Sequence, residues 1–212
     1  MMTAGNRGLR GSVVGLLVIG LGSCTAARVV THTTDTNPVE APAGHYHLDP
    51  HHWSVLFDVD HLHYTRFVMR FDKVSASLDF ASQRPEDSHV DVVIDAASVD
   101  TNDPELDRLI TGAEMFDAAH YPDIRFVSTS LTRSGPDTGQ MAGTLTMRGR
   151  SIPIDLLVTF NGGAPNPVSR QYTLGFAATG SFDRSRLGLS TWFPAVGNRV
   201  NVAIQAEFVK DE

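Results

Sequence analysis

Residues 45–63 read HYHLDPHHWSVLFDVDHLH, and the second half of that stretch decides the fold. Val55, Phe57 and Val59 alternate with Leu56, Asp58 and Asp60. A period of two puts three apolar side chains on one face of a strand. Asp49-Pro50 just upstream reads as a turn before that strand, because Pro fixes φ and Asp bonds its own backbone. One apolar strand face cannot bury itself, so partners with the same pattern are required.

The chain downstream supplies them. Phe67, Met69 and Phe71 form one stripe, and Val74, Ala76, Leu78 and Phe80 the next. Val90, Val92, Ile94 and Ala96 come after these, then Ile124 and Phe126, then Met141, Gly143, Leu145 and Met147. Ile152, Ile154, Leu156, Val158 and Phe160 give the cleanest alternation. Tyr172 to Ala178 and Val200 to Phe208 close the series. Residues 98–104 (SVDTNDP) interrupt it with turn residues and plausible caps, Pro104 being suited to a first helical turn. The spacing of Leu106, Leu109 and Ile110 predicts a helical insertion over about residues 103–120, its second turn running from Glu114 to Pro122.

Short connections favour antiparallel pairing, and half-polar strands imply one solvated face. The prediction is an all-β, antiparallel, up-and-down barrel of about eight strands, since closure removes exposed edges. A β-sandwich is the alternative. The inward parity is assigned to Phe57, Val59, Ile94, Phe126, Leu145, Leu156, Val158, Phe176 and Ile204. Asp58, Asp60, Asp95, Arg125, Asp155 and Gln205 take the opposite parity, since burying them unpaired is costly. The small residues Ala76, Ala96, Gly143, Ala178 and Ala206 either leave volume inside or make room for bulkier neighbours. Pattern alone leaves an open lumen and a packed one equally good.

Residues 1–23 read as an export signal: Arg7 and Arg10 precede the nine apolar residues 13–21. Spanning a membrane takes about 20. Leu21-Gly22-Ser23-Cys24 comes directly after and resembles a bacterial lipobox. That resemblance implies cleavage before Cys24 and lipid attachment to its sulfur. An ordinary signal with an incidental Cys24 is the alternative, although Cys24 is the only cysteine. Residues 24–43 then read as the lipidated cysteine and a flexible tether, and residues 44–212 as the domain. The expected location is the cell envelope, on the outer face of the cell membrane or the periplasmic side of an outer membrane.

Removing Arg7 and Arg10 from the 17 basic residues leaves 15 against 24 acidic, a formal charge of −9. So acidic a domain is a poor binder of nucleic acid. The sequence has no Walker loop, dinucleotide fingerprint or zincin motif. Six of the nine histidines fall in residues 45–63. His-x-His on a strand puts two rings on one face, a usable metal geometry. No Cys or carboxylate triad completes it, so neither a metal nor a catalytic residue is assigned. Arg184 and Arg186 are candidates for meeting a head group at a lumen mouth, with Trp192 beside them; an Asp183–Arg184 ion pair bracing a loop is the competing role for Arg184.

Several ordered stretches together resemble the YceI-like family of bacterial exported proteins. They include Tyr46-x-Leu-Asp-Pro-x-His52, Ser98-Val99-x-Thr101-Asn102, Met115-Phe116-Asp117, Tyr121-Pro122-x-Ile124-x-Phe126, Gly143-x-Leu145-Thr146-x-x-Gly149 and Phe182-Asp183-Arg184-x-x-x-Gly188. The resemblance covers about residues 45–209. It implies a lipocalin-like barrel whose apolar tunnel holds a polyisoprenoid or similar amphiphile. Trp53, Met69 and Leu109 depart from the family pattern, the first two where they would reshape the tunnel. The expected function is a non-catalytic carrier of a long-chain isoprenoid lipid. It would have no cofactor and no nucleic-acid partner, would meet the membrane through Cys24, and leaves a homodimer open. Ala178, a small residue on an apolar stripe, joins the expected lumen set. A metal-assisted envelope enzyme using the His cluster and a filled-barrel surface lipoprotein are the alternatives.

Overall fold

The computed structural model describes residues 28–212. The export signal and Cys24 lie outside them. The chain divides into two units between His32 and Thr33. The second holds every strand of the sheet: β1 (Gly44–His61), β2 (Thr65–Phe71), β3 (Val74–Phe80), β4 (His89–Asp95), β5 (Val99–Asp100), β6 (Asp123–Arg133), β7 (Thr138–Met147), β8 (Arg150–Pro165), β9 (Tyr172–Asp183) and β10 (Val196–Lys210). One helix, α1 (Pro104–Thr111), sits between β5 and β6.

All pairings between strands are antiparallel, and β10 pairs back onto β1 from Tyr46↔Lys210 to His61↔Val196. The sheet is therefore a closed barrel, and the sandwich alternative fails on that pairing. Ten strands make eight staves. β2 pairs with the second half of β1, and β3 continues along its first half, so β2 and β3 form one interrupted stave. β4 and β5 make another in the same way, against β3 and β2.

Four details differ from the sequence reading. Asp49-Pro50 does not precede the first strand; it lies inside it. Leu48 pairs with Phe208 and Trp53 with Ala206, so residues 49–52 bulge opposite Glu207 alone. A bulge accommodates proline, which has no N–H for the ladder. The helix is shorter than expected. Asp103 caps it by accepting the Glu105 N–H at 2.9 Å, Pro104 opens it, and Gly112 closes it. Turns take over beyond Gly112, and there Met115 and Phe116 are buried. Ile110 faces the core while Leu109 is 57% exposed. Finally, residues 33–43 are not a free tether throughout. Asp35 bridges to Gly163, Pro38 and Ala41 are buried, and the Tyr46 hydroxyl donates to the Pro42 carbonyl at 2.6 Å. The folded unit thus begins about ten residues before Gly44.

Candidate functional site

Closing eight staves with apolar side chains pointing inward leaves an internal cavity of about 760 Å³. That lies within the range of small-molecule sites, roughly 300–1,000 Å³. Phe57, Val59, Ile94, Phe126, Leu145, Leu156, Val158, Phe176, Ala178 and Ile204 all line it. The opposite parity carries the ion pairs of the outer wall: Asp58 with Arg66, Asp91 with Arg125, and Lys73 with Asp95 at 3.3 Å. The Asp91 carboxyl is held below the usual carboxylate range by Arg125.

The small residues divide. Ala76, Ala178 and Ala206 line the cavity. Gly143 does not: a Cβ there would overlap the Phe126 ring and come within 2.8 Å of the Val127 carbonyl. Its job is to let Phe126 lie across β7. Ala96 is buried outside the cavity. Among the described residues no buried side-chain nitrogen or oxygen lacks a hydrogen-bond partner. The lumen walls between the two ends are apolar side chains.

Two ends bound the cavity. At the end where β1 begins, Pro38, Pro85, Ser88, Arg133, Pro136 and Asp137 line it. Below them an aromatic ladder spans the barrel: Tyr46 meets Phe80 edge-on at 6.2 Å, Phe80 stacks on Phe160 at 6.3 Å, and Phe160, Phe176 and Phe208 continue it. Burial pushes the Tyr46 phenol up to about 12, with nearby Tyr172 adding to the shift. At the other end lie His61, Leu62, Leu106, Met115, Trp192 and Ala195. Phe71 stacks between Phe57 at 5.0 Å and Phe116 at 6.1 Å. Phe116 and Leu189 also line the lumen. No periodicity marks them, since they lie in the turns after α1 and in the β9–β10 loop.

Arg184 is 4% exposed, and its guanidinium donates to four main-chain carbonyls: Leu189 at 2.6 Å, Gly197 and Val196 at 2.8 Å, and Thr191 at 3.0 Å. These replace the expected ion pair with Asp183, and they leave little of the guanidinium for a head group. Burial lowers the Arg184 pKa from its ordinary value. The side chain ties the β9–β10 loop, with Trp192 on it, to the barrel. Arg186 is exposed and Trp192 is 42% exposed at the cavity edge.

The histidines clustered in sequence do not converge on a shared site among the described residues, although the His51 and His52 rings meet edge-on at 6.5 Å. His45 pairs with Asp79, His47 with Asp211 at 2.6 Å, His52 with Asp49 at 3.2 Å, and His63 with Asp60 at 3.0 Å. All four rings are on the outer surface, and of the six only His61 lines the lumen. Asp49, His52 and Glu207 have donor atoms within 4.8 Å of one another, at the β1 bulge on the outside of the wall.

Comparison with known proteins agrees with this architecture. The model of the YceI-like domain matches residues 46–208. A UPF0312 protein of Pseudomonas fluorescens is 33% identical over 164 residues, covering 75% of this chain and 82% of its own. A Campylobacter jejuni YCEI protein superposes with a TM-score of 0.66 at 29% identity, covering 72% of this chain and 90% of that one. Burkholderia cenocepacia BcnA reaches 0.69 at 22% identity, over 76% and 98% of the two chains. A polyisoprenoid binding domain from Saccharophagus degradans reaches 0.61 at 14%, over 80% and 100%. The last two show likeness of fold alone. With the closed barrel, its apolar lumen and a family match across nearly the whole folded unit, the chain belongs to the YceI-like family.

Proposed function

We propose that the barrel is a non-catalytic carrier that holds a polyisoprenoid or similar long apolar lipid in its lumen. The observation that carries this is the cavity of about 760 Å³ walled by one apolar parity of every stave. As a packing defect it would cost on the order of 18 kcal/mol at ~24 cal/mol per Å³, more than the whole stability of an ordinary domain. It is a built feature. Each buried CH₂ of a chain gains roughly 0.8 kcal/mol, so a long lipid binds there without any specific polar contact. The Saccharophagus degradans neighbour, described as a polyisoprenoid binding domain, supports the same ligand class.

The carrier is tethered to the cell envelope through a lipid on Cys24. The lipobox-like run 21–24 after a short apolar stretch supports this. Stable anchoring requires more than one acyl chain, which a fully acylated N-terminal cysteine supplies. Cys24→Ala should move the folded domain to the soluble fraction; persistence in carbonate-washed membranes would sink the anchor.

The carrier reading is tested by organic extraction of the purified protein and mass spectrometry. A long-chain lipid at near-equimolar yield is expected. Ala178 faces Val158 and Ile204 in the neighbouring strands. Ala178→Trp should therefore cut the yield several-fold while the barrel stays folded. No extractable lipid from the wild type, with loss of folding in Ala178→Trp, would mean a packed barrel and end the carrier reading.

A further inference from the structure

We propose that the end of the barrel formed by the β1–β2 turn, the β7–β8 turn and the β9–β10 loop docks on the surface of an anionic lipid bilayer. Among the described residues the exposed aromatic side chains are Tyr64, Tyr121, Trp192 and Phe193, and all four lie on this end. Phe193 is 62% exposed and Tyr64 87%. Leu62 and Trp192 face both ways: they line the lumen, yet are about half exposed. The Leu62 N–H donates to the Ala195 carbonyl at 2.8 Å, which joins the turn and the loop into one rim around the mouth.

The backbone shows that this exposure is imposed. Leu62 has φ 53° and Trp192 φ 64°. Side-chain-bearing residues disfavour that region, where glycine or asparagine normally sits. Burial does not compensate at either position. Two bulky apolar side chains are held in water, at a conformational cost, beside an apolar cavity.

Charge identifies what covers them. Arg148, Arg150 and Arg186 lie on the same end. Arg148 donates to the Ala113 carbonyl at 2.6 Å and reaches that of Glu114, which also accepts from Thr191 at 3.0 Å. A Cβ on Gly149 would come within 2.9 Å of the Tyr121 ring, and one on Gly188 within 3.1 Å of the Arg150 guanidinium. None of the three arginines forms an ion pair with a carboxylate among the described residues, although Asp183 is three residues from Arg186 and Glu114 is exposed beside Arg148. Other carboxylates of this end are engaged: Asp103 caps α1, Asp107 accepts from Thr101, Glu105 meets Arg108 at 3.6 Å and Asp117 meets His120 at 2.8 Å. Unpaired cations beside interfacial aromatics, on a chain of formal charge −7, fit anionic head groups over a hydrocarbon layer. Docked so, the lumen opens onto the acyl region and a lipid enters without crossing water. Docking stands on the rim alone; its use as a loading port rests on the carrier reading.

The chain has two tryptophans, Trp53 and Trp192. Protein beginning at residue 24, without the apolar 13–21 stretch, and carrying Cys24→Ser and Trp53→Phe therefore reports Trp192 alone, with no attached lipid. It is mixed with vesicles of phosphatidylglycerol or phosphatidylcholine whose acyl chains are brominated. Trp192 emission should shift to the blue and be quenched on phosphatidylglycerol, much less on phosphatidylcholine, and less again in high salt. Changing Arg148, Arg150 and Arg186 to Gln should raise the lipid concentration at half-binding by roughly a hundredfold. Phe193→Ser with Leu62→Ser should abolish quenching, with circular dichroism confirming the fold. Co-sedimentation without quenching of Trp192, equal binding by the Gln variant, or rim-to-rim self-association in place of vesicle binding would each overturn the proposal. Extractable lipid is measured separately, so failure of docking and failure of the carrier reading are distinguishable.

Discussion

The two ends of the barrel are held by different chemistry. Where β1 begins, rings on five strands pack in sequence from Tyr46 to Phe208. At the other end, one buried guanidinium joins two carbonyls of the β9–β10 loop, Leu189 and Thr191, to two at the start of β10, Val196 and Gly197. Ring packing is continuous with the barrel core, so the first end should unfold only with the whole domain. The loop is held by the Arg184 bonds and by two single hydrogen bonds, Leu62 N–H to the Ala195 carbonyl and the Thr191 hydroxyl to the Glu114 carbonyl, and carries half-exposed apolar residues. So few ties make it able to open without the staves separating.

The largest effect should come from the ladder. Phe160 touches both Phe80 and Phe176. Phe160→Ala should lower global stability by about 3–5 kcal/mol in denaturant unfolding. A loss under about 1 kcal/mol would mean that the rings do not brace this end. Arg184→Met should cost about 3 kcal/mol, since carbonyls left dry and unpaired lose on the order of 1–3 kcal/mol each and some will regain water. The contrast lies in where the loss appears. Hydrogen exchange should accelerate over residues 184–197 and stay nearly unchanged in β3 and β4. Uniform acceleration across the staves would erase the distinction between the ends.

These two determinants also differ in how well they can be read from sequence. Phe160, Phe176 and Phe208 lie on period-two stripes, so their facing is set by the alternation of apolar and charged residues. The same logic puts ten named residues around the lumen, because an aspartate or arginine at the next position cannot turn inward unpaired. The Arg184 knot has no such signature. Its partners are main-chain carbonyls, which every residue carries, and the neighbouring Asp183 suggests an ion pair that does not form. Asp49-Pro50 misleads for a related reason. Local turn chemistry is the same in a loop and in a bulge, and only the pairing of Leu48 and Trp53 with β10 tells them apart. Residues 33–43, rich in Thr and Pro, carry no periodicity, so their packing against the barrel is not legible either.

A smaller effect isolates the top of the ladder. The Tyr46 phenol is pushed up to about 12 by burial, against 10.0 for the free group. The unfolded chain thus loses this proton first as pH rises. The stability tied to it is intact below pH 10 and falls between about 10 and 12, by on the order of 2–3 kcal/mol. Tyr46→Phe should cost about 1 kcal/mol at neutral pH, from the lost hydrogen bond to Pro42. It should also flatten this alkaline loss relative to the wild type. Parallel stability curves for the two proteins above pH 10 would show that Tyr46 ionises without opening the ladder.

The smallest effect belongs to the bulge on the outer wall. His52 is raised from its ordinary value by its hydrogen bond to Asp49 and by the charges of Asp49 and Glu207. At Asp49, burial alone would raise the carboxyl, but the His51 N–H at 2.7 Å and the His52 side chain outweigh it and hold it below the ordinary range. The signs run oppositely. A histidine raised on folding adds stability that is full below its unfolded value of about 6.5 and lost as pH climbs through the folded value. A depressed carboxylate adds stability above about 3.9 that disappears as pH falls through its lower folded value. The pair therefore contributes most between those limits, around pH 4–6.5. Both partners touch solvent, so the contribution is under about 1 kcal/mol. Imidazole NMR should show His52 titrating above 6.5, and Asp49→Asn should return it toward that value while Glu207→Gln moves it less. Equal shifts from the two variants would mean that Glu207, across the bulge on β10, holds the ring as firmly as Asp49. The bulge would then be a cross-strand clasp at the ladder end, adding polar bracing to an end otherwise held by rings.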